Sequence, residues 1–194
     1  MQNPIHNPQA NALKPLDPPY SETVNAIFEG YPKRGGYLLK LFRVFANSER
    51  FLKKGTVNLL DRASPLSMRQ RELIILRVTA NNGCEYEWGV HVGAFGVHVG
   101  FGADEINASR LGDHRSTCWD KAESLLVEVV DQLCACGTLP DALLQRFQSS
   151  FSAEEQLEVL ALCGNYHTVS FVANVSRLSG EDFAASFPPA CSNH

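Results

Sequence analysis

The sequence predicts an all-α fold, on three observations. Helix-start signals recur along it: Ser67-x-x-Gln70, Asp120-x-x-Glu123 and Ser152-x-x-Glu155 each place a capping side chain three residues before its reciprocal partner. Prolines keep to the ends, with five of the ten in residues 1–19 and two more at Pro188 and Pro189, so the middle of the chain is free for helices. No stretch alternates apolar and polar residues for long enough to build a sheet.

The elements follow in order. Residues 1–19 read as an irregular arm of the kind that could wrap a neighbouring subunit. Val24 to Phe28 and Tyr37 to Phe51 read as helices. The Ser67 box opens a helix through Glu72 to Ala80, which Asn82-Gly83 closes. A second helix is predicted from Cys84 to His98, ending at Gly100 or Gly102, and a short third from Asp104 to Ser109. Asp120 starts a long amphipathic helix with Leu125, Leu126, Val129, Val130 and Leu133 in register, stopped by Gly137. Pro140 suits the N-terminus of the next helix. Ser152 opens a long apolar helix through Leu157, Tyr166, Val169 and Val172 to about Leu178. The organisation is one helical domain, 20–184, between the 1–19 arm and an irregular tail, 185–194.

Composition narrows the function. A chain of 194 residues with 44% hydrophobic residues can bury a sizeable core as one domain. The net charge of −4 and the lack of any lysine or arginine run argue against a nucleic acid or an anionic membrane as partner. No run of about 18 apolar residues exists to span a bilayer. The N-terminus has no apolar core of a secretory signal, so the six cysteines are expected to be reduced thiols of a cytoplasmic protein.

Polar residues collect around Cys84-Glu85-Tyr86-Glu87-Trp88-Gly89-Val90-His91. At 3.6 residues per turn, Cys84, Glu87, Trp88 and His91 share a helix face, and Glu87 reaches His91 at i,i+4. That pairing raises the imidazole pKa and suits proton transfer near neutral pH, or else is an ordinary surface pair. Trp88 and Phe95 extend the face with bulk that could wall a pocket. Glu72 lies on an apolar helix face beside Met68, Ile75, Leu76 and Thr79, where a charge needs a partner: Arg69, a neighbouring helix end, or the site. On the long last helix, Tyr166 and Asn174 are eight residues apart; Tyr166 is either a core aromatic or a substrate-orienting group. His98, Cys134 and Cys136 receive no assigned role. No metal is expected, because Glu-x-x-x-His lacks the i,i+3 spacing and second copy of carboxylate di-metal helices, and Cys134-x-Cys136 is not a CxxC. The apolar run Leu73, Ile74, Ile75, Leu76 and Val78 covers two adjacent faces of its helix, and the spare face is expected to meet another subunit.

The segments Arg69–Val78, Asn82–His91 and Gly102–Ile106 resemble the carboxymuconolactone decarboxylase family of the alkylhydroperoxidase-D-like superfamily. The likeness extends to Leu41–Asn47, Trp119–Glu123 and Gly164–Thr168, covering about residues 20–180. It implies an alkylhydroperoxidase-D-like helical bundle, no cofactor, and a homo-oligomer, a dimer or trimer-based. In the peroxidase branch Glu72 and His91 match the proton relay and Cys84 the resolving thiol, but Glu87 stands where the attacking cysteine belongs. Glutamate can neither attack a peroxide nor resolve a sulfenic acid. The surviving Glu-x-x-x-His resembles the decarboxylase branch, which implies acid–base chemistry on a small carboxylated or lactone substrate by His91, Glu87 and Glu72. The alternatives are an alkylhydroperoxidase-like thiol peroxidase (peroxiredoxin-type activity) through Cys84, and a non-catalytic helical oligomer.

Overall fold

The structure is a computed structural model describing residues 12–189. Among the described residues the secondary structure is nine α-helices and one π-helical turn: α1 (Glu22–Phe28), α2 (Lys40–Phe45), α3 (Glu49–Lys54), α4 (Met68–Asn81), α5 (Glu85–His91), the π-turn (Val92–Gly96), α6 (Ala103–Leu111), α7 (Lys121–Cys136), α8 (Asp141–Ser150) and α9 (Ala153–Val175). A single bridge joins Arg34 to Tyr37. No helix among the described residues is long and apolar enough to cross a membrane. Residues 1–11 and 190–194 of the two expected arms, with Cys191, lie outside the described residues.

The predicted caps work as the sequence implies. Ser67, Asp120 and Ser152 each accept the N–H three residues on, while Gln70, Glu123 and Glu155 return the bond to the cap backbone. Gly137 ends α7 in the left-handed region that only glycine enters without strain (φ 70°). One predicted helix splits. The stretch from Tyr37 to Phe51 divides into α2 and α3, because Ser48 turns extended and caps the Phe51 N–H, starting a second helix.

Helix α4 is the axis of the molecule. It packs on α7, α9, α5 and α6, and every residue from Arg71 to Ala80 is buried. Ile74, Ile75 and Val78 face a large core with α1, α2, α7 and α9. Leu73, Leu76 and Ala80 face a smaller one with Trp88, Phe101, Trp119 and Val127. The apolar run 73–78 is therefore consumed inside one chain and leaves no face for a second subunit, contrary to the expectation. Each such side chain contributes about 1.5–3 kcal/mol on burial, so a helix encased on two sides is the strongest organiser available.

Polar groups on so buried a helix need partners; Arg69 and Arg77 find them, while Arg71 is bonded through Nη1 and its Nε is buried without a partner among the described residues. Arg69 binds Glu123 (2.6 Å), Glu105 and the Gly100 carbonyl (2.9 Å). Arg77 binds both oxygens of Asp131 (2.5 and 2.8 Å) and the carbonyls of Ser109 and Gly112. Arg71 holds the carbonyls of Leu59 and Asp61 (3.2 and 2.8 Å). The remaining charge on the helix, Glu72, leads to the site.

The chain after α9 returns as a strap behind α5. Its buried Glu181 accepts from Tyr86 OH (2.6 Å), Tyr37 OH (3.0 Å) and the first N–H of α2, on Lys40 (2.8 Å). Ala185 N–H donates to the Gly89 carbonyl (3.0 Å). A Cβ on Gly89 would stand 2.1 Å from the Ala185 carbonyl oxygen, and one on Gly93 would stand 2.2 Å from that of Phe183. Only glycine at both positions lets the strap lie against the helix.

Candidate active site

Cys84 is the N-cap of α5, and Glu87 and His91 lie one and two turns along it, facing α4 and α9. Helix α4 brings Glu72 to the same point, and α9 brings Tyr166. All are buried: Glu72 is 3% exposed, Glu87 6%, His91 4% and Tyr166 5%. An i,i+4 pair at the surface is thereby excluded.

The bonds around the imidazole are unequal. Nδ1 of His91 lies 2.7 Å from Glu72 Oε2. Nε2 has two looser neighbours, Glu87 Oε1 at 3.4 Å and Tyr166 OH at 3.3 Å. The sequence expectation gave the close pairing to Glu87. The structure gives it to Glu72, because α4 presents its carboxylate directly across from the ring, while the i,i+4 geometry of α5 leaves Glu87 alongside Nε2. The second oxygen of Glu87 is buried without a hydrogen-bond partner among the described residues.

These surroundings set the protonation. Burial by itself would lower the His91 pKa, but the charges and hydrogen bonds of Glu72 and then Glu87 outweigh it and raise the ring to about 10. The imidazole is thus a cation at neutral pH, with Nδ1–H donating to Glu72 and Nε2–H facing both the Tyr166 hydroxyl oxygen (3.3 Å) and Glu87 (3.4 Å). When it loses its Nε2 proton, the Tyr166 hydroxyl can donate to that nitrogen instead. Tyr166 stays a phenol, since burial and then the carboxylates Glu87 and Glu72 hold its pKa well above the ordinary value.

Cys84 is fully buried, and its thiol is pushed up to about 11, by burial first and by the Glu87 charge; the Glu87 N–H and Ser170 pull the other way. It is a protonated thiol in a closed environment, where nucleophilic thiolates are not formed.

The other sequence-predicted residues fall in different places. Phe95 joins the site, with its ring 5.4 Å from that of His91. It does so from the π-turn, not from a continued helix: α5 ends at His91, where the expectation ran it to His98, and the register shift follows the residue that bears the chemistry. Trp88 does not line the site. It turns into the smaller core, donating Nε1–H to Ser109 (3.0 Å) and packing on Phe187 (5.2 Å). Asn174 is also elsewhere, donating to the Asn82 carbonyl (2.9 Å) at the end of α4. His98 and Cys136 are exposed and Cys134 is half-buried, all away from His91. No group of three or more His, Cys, Asp and Glu among the described residues is arranged to hold a metal ion. Sequence reading missed Glu181, which braces α5 from behind by accepting from Tyr86 OH. The Gly89-x-x-x-Gly93 spacing, two side-chain-free positions one turn apart, was the signal that something packs closely there.

Comparison with known proteins agrees with this architecture. Residues 52–129 match the model of the carboxymuconolactone decarboxylase family. That segment includes Glu72, Cys84, Glu87 and His91, while Tyr166 lies beyond it. Among solved structures, the chain is similar to an uncharacterized peroxidase-related protein from Silicibacter sp. TM1040, at 16% identity over 88% of this chain and 93% of that one (TM-score 0.69). It is also similar to a protein of unknown function from Agrobacterium tumefaciens described as a putative antioxidant defence protein AhpD, at 23% identity over 72% of this chain and 90% of that one (TM-score 0.54). The fold is the all-α, alkylhydroperoxidase-D-like bundle that the sequence predicts. No curated protein matches the chain.

Proposed function

We propose that this protein is a cofactor-free acid–base enzyme of the decarboxylase or lyase type, acting on a small carboxylated or lactone substrate, with Nε2 of His91 as its proton carrier. The observation that carries the reading is the asymmetry about the imidazole: 2.7 Å at Nδ1 against 3.3 and 3.4 Å at Nε2. Glu72 fixes the ring and its tautomer. The Nε2 proton, held only loosely, is the one free to move. In decarboxylation the C–C bond to the carboxylate breaks, carbon dioxide leaves, and the electron pair left on carbon takes the Nε2 proton. The imidazole then regains a proton from water, and Glu87 beside Nε2 stabilises the recharged cation. This reading sets Cys84 aside as a nucleophile and gives Glu87 an electrostatic role. It places the protein in the cytoplasm with reduced thiols, in keeping with the five free cysteines of the described residues.

The test is a screen of small unsaturated lactone acids and related carboxylates for carbon dioxide release, with wild type, His91→Ala and His91→Gln in parallel. Turnover should fall by about 10²–10⁴-fold in both variants, with helical circular dichroism retained. Wild-type turnover in a folded His91 variant would reject the reading.

A further inference from the structure

Four buried side-chain polar atoms among the described residues have no hydrogen-bond partner: Arg71 Nε, Glu87 Oε2, Ser170 Oγ and Ser176 Oγ. The first three belong to residues near the imidazole. Glu87 lies beside Nε2 of His91. Ser170 is buried on α9, one turn beyond Tyr166 and on the same face. Arg71, 8% exposed, precedes Glu72 on α4. Ile74, Ile75 and Val78 follow it at i+3, i+4 and i+7, so it stands on the face of α4 that meets the larger core and Tyr166. Its charge reaches the Tyr166 hydroxyl, where it opposes the rise in pKa that burial and the carboxylates Glu87 and Glu72 produce. A buried polar atom left open costs about 1–3 kcal/mol, and three of them around one ring call for a ligand that completes them.

Arg71 is held so that one edge of its guanidinium stays open. Both of its bonds leave from Nη1, to the carbonyls of Leu59 and Asp61 (3.2 and 2.8 Å). The two Nη1 hydrogens are thereby used. Nε–H and the Nη2 hydrogen beside it point the same way and form the parallel pair that takes both oxygens of a carboxylate. The loop that supplies the two carbonyls is fixed next to Tyr166, because Asn165 bonds the N–H and the carbonyl of Val57 (3.3 and 3.1 Å). Farther along, Ser64 of the same loop donates to Glu158 on α9. The guanidinium is therefore clamped from the loop side, where α4 packs on α9. The acids nearest to it in the site, Glu72 and Glu87, are both directed to His91, at 2.7 and 3.4 Å. Arg71 thus carries a buried positive charge with no ion pair among the described residues, an arrangement that favours an anion brought from outside.

We infer that Arg71 is the carboxylate anchor of the site: its Nε–Nη2 edge takes, side-on, a carboxylate of the small acid on which His91 acts. This deepens the acid–base reading and rests on it for the reaction, while the binding stands by itself. The carboxylate held at Arg71 is not the one that is lost. In decarboxylation the negative charge passes from the departing carboxylate to carbon, so a cation on that group would stabilise the starting state and slow the step. Arg71 therefore holds a carboxylate that the reaction keeps. The substrate class is a small acid with two carboxylates, one anchored at Arg71 and one lost beside His91.

The experiment is binding of maleate, a small planar dicarboxylate, to the full chain, followed by calorimetry and by the NMR signals of the histidine rings. Dimethyl maleate and sodium chloride are the controls. Wild type should bind maleate and not its diester, and maleate should shift the His91 signals, which His91→Gln identifies by their loss. Arg71→Met should weaken maleate about 10–100-fold. Arg71→Lys keeps the charge without the parallel pair and should fall between the two. Circular dichroism checks the fold of each variant, and where Arg71→Met does not fold, the weakening in Arg71→Lys decides. His91→Gln should still bind maleate. A chain that binds maleate through Arg71 but releases carbon dioxide from no acid would sink the decarboxylase reading and leave the anchor standing. No maleate binding by wild type, equal binding by the Arg71 variants, or binding that leaves the His91 signals unmoved would overturn the anchor, whatever the turnover.

Discussion

Arg77 and His91 are both buried cations, 7% and 4% exposed, each reaching an acidic group on a neighbouring helix. Their surroundings differ in one respect. Around Arg77 every guanidinium nitrogen finds an acceptor and the charges balance: one guanidinium, one carboxylate bound through both oxygens, and two backbone carbonyls. Around His91 two carboxylates share one imidazolium, and one carboxylate oxygen has no partner among the described residues. The first arrangement fastens α4 to α6 and α7. The second leaves a buried carboxylate oxygen without a hydrogen bond, a cost that folding alone would not retain. The Arg77 cluster is structural, and the His91 cluster, with a buried carboxylate oxygen left unpartnered among the described residues, is where chemistry is expected.

The largest effect comes from unbalancing the first cluster. Arg77→Ala leaves Asp131 with only the Asn81 amide and takes the guanidinium donor from the Ser109 and Gly112 carbonyls. It should destabilise the fold by about 3–4 kcal/mol, seen in urea unfolding, while activity per folded molecule stays unchanged. A loss below about 1 kcal/mol would mean that the Arg77 cluster is no fastening.

Next in size, taken per pH unit, is the pH dependence of the second cluster. The His91 pKa is raised from its ordinary 6.5 to about 10. Between those values the folded state holds a proton that the unfolded chain has released. The stabilisation from the ion pair is complete below about pH 6.5, declines as pH rises, and is gone above about 10. Stability should fall by at most roughly 1.4 kcal/mol per pH unit across that window. In His91→Gln the slope should flatten, apart from what the buried thiols contribute near its upper end. Parallel slopes in the two proteins would show that His91 is neutral when folded.

These two clusters were not equally legible in the sequence. The capping boxes, the glycine stops and the apolar periodicity gave the helices nearly in place, because those signals are local. Glu72 as a buried acid and His91 as its neighbour could be reached from face-sharing and family likeness. Which carboxylate holds the ring could not, since the distance from α4 to α5 is a tertiary quantity. Trp88 and Asn174 were assigned to the site for the same reason. Sharing a helix face with His91 does not decide which of two cores a side chain enters, and eight residues along α9 carry Asn174 to the far end of α4. The run at 73–78 misled because continuous hydrophobicity reports burial without saying by whom.

Glu87→Gln sharpens the comparison by partly balancing the second cluster. It keeps the shape and removes the Glu87 charge. Stability should rise by about 1 kcal/mol, or roughly 2–4 °C in melting temperature for a chain of this size, while turnover falls. Stability gained together with function lost is the behaviour of an active-site charge. A variant that loses both would make Glu87 a structural member like Asp131.

The smallest effect is expected from Tyr166→Phe, and the reason lies in the order of the bonds around the ring. Glu72 already fixes the imidazole at Nδ1 with the shorter contact, so removing a hydroxyl 3.3 Å from Nε2 does not release it. While His91 is a cation, its Nε2–H has Glu87 as a second acceptor beside the phenol oxygen, so it does not depend on Tyr166. Only the neutral ring needs that hydroxyl. The variant should therefore lose at most about 1 kcal/mol of stability and less than about ten-fold in turnover, with the deficit growing toward high pH as neutral imidazole accumulates. A rate–pH profile of both proteins measures this. A uniform loss of about 100-fold at all pH values would instead make the Tyr166 hydroxyl the proton donor, and would move the centre of the chemistry from α5 to α9.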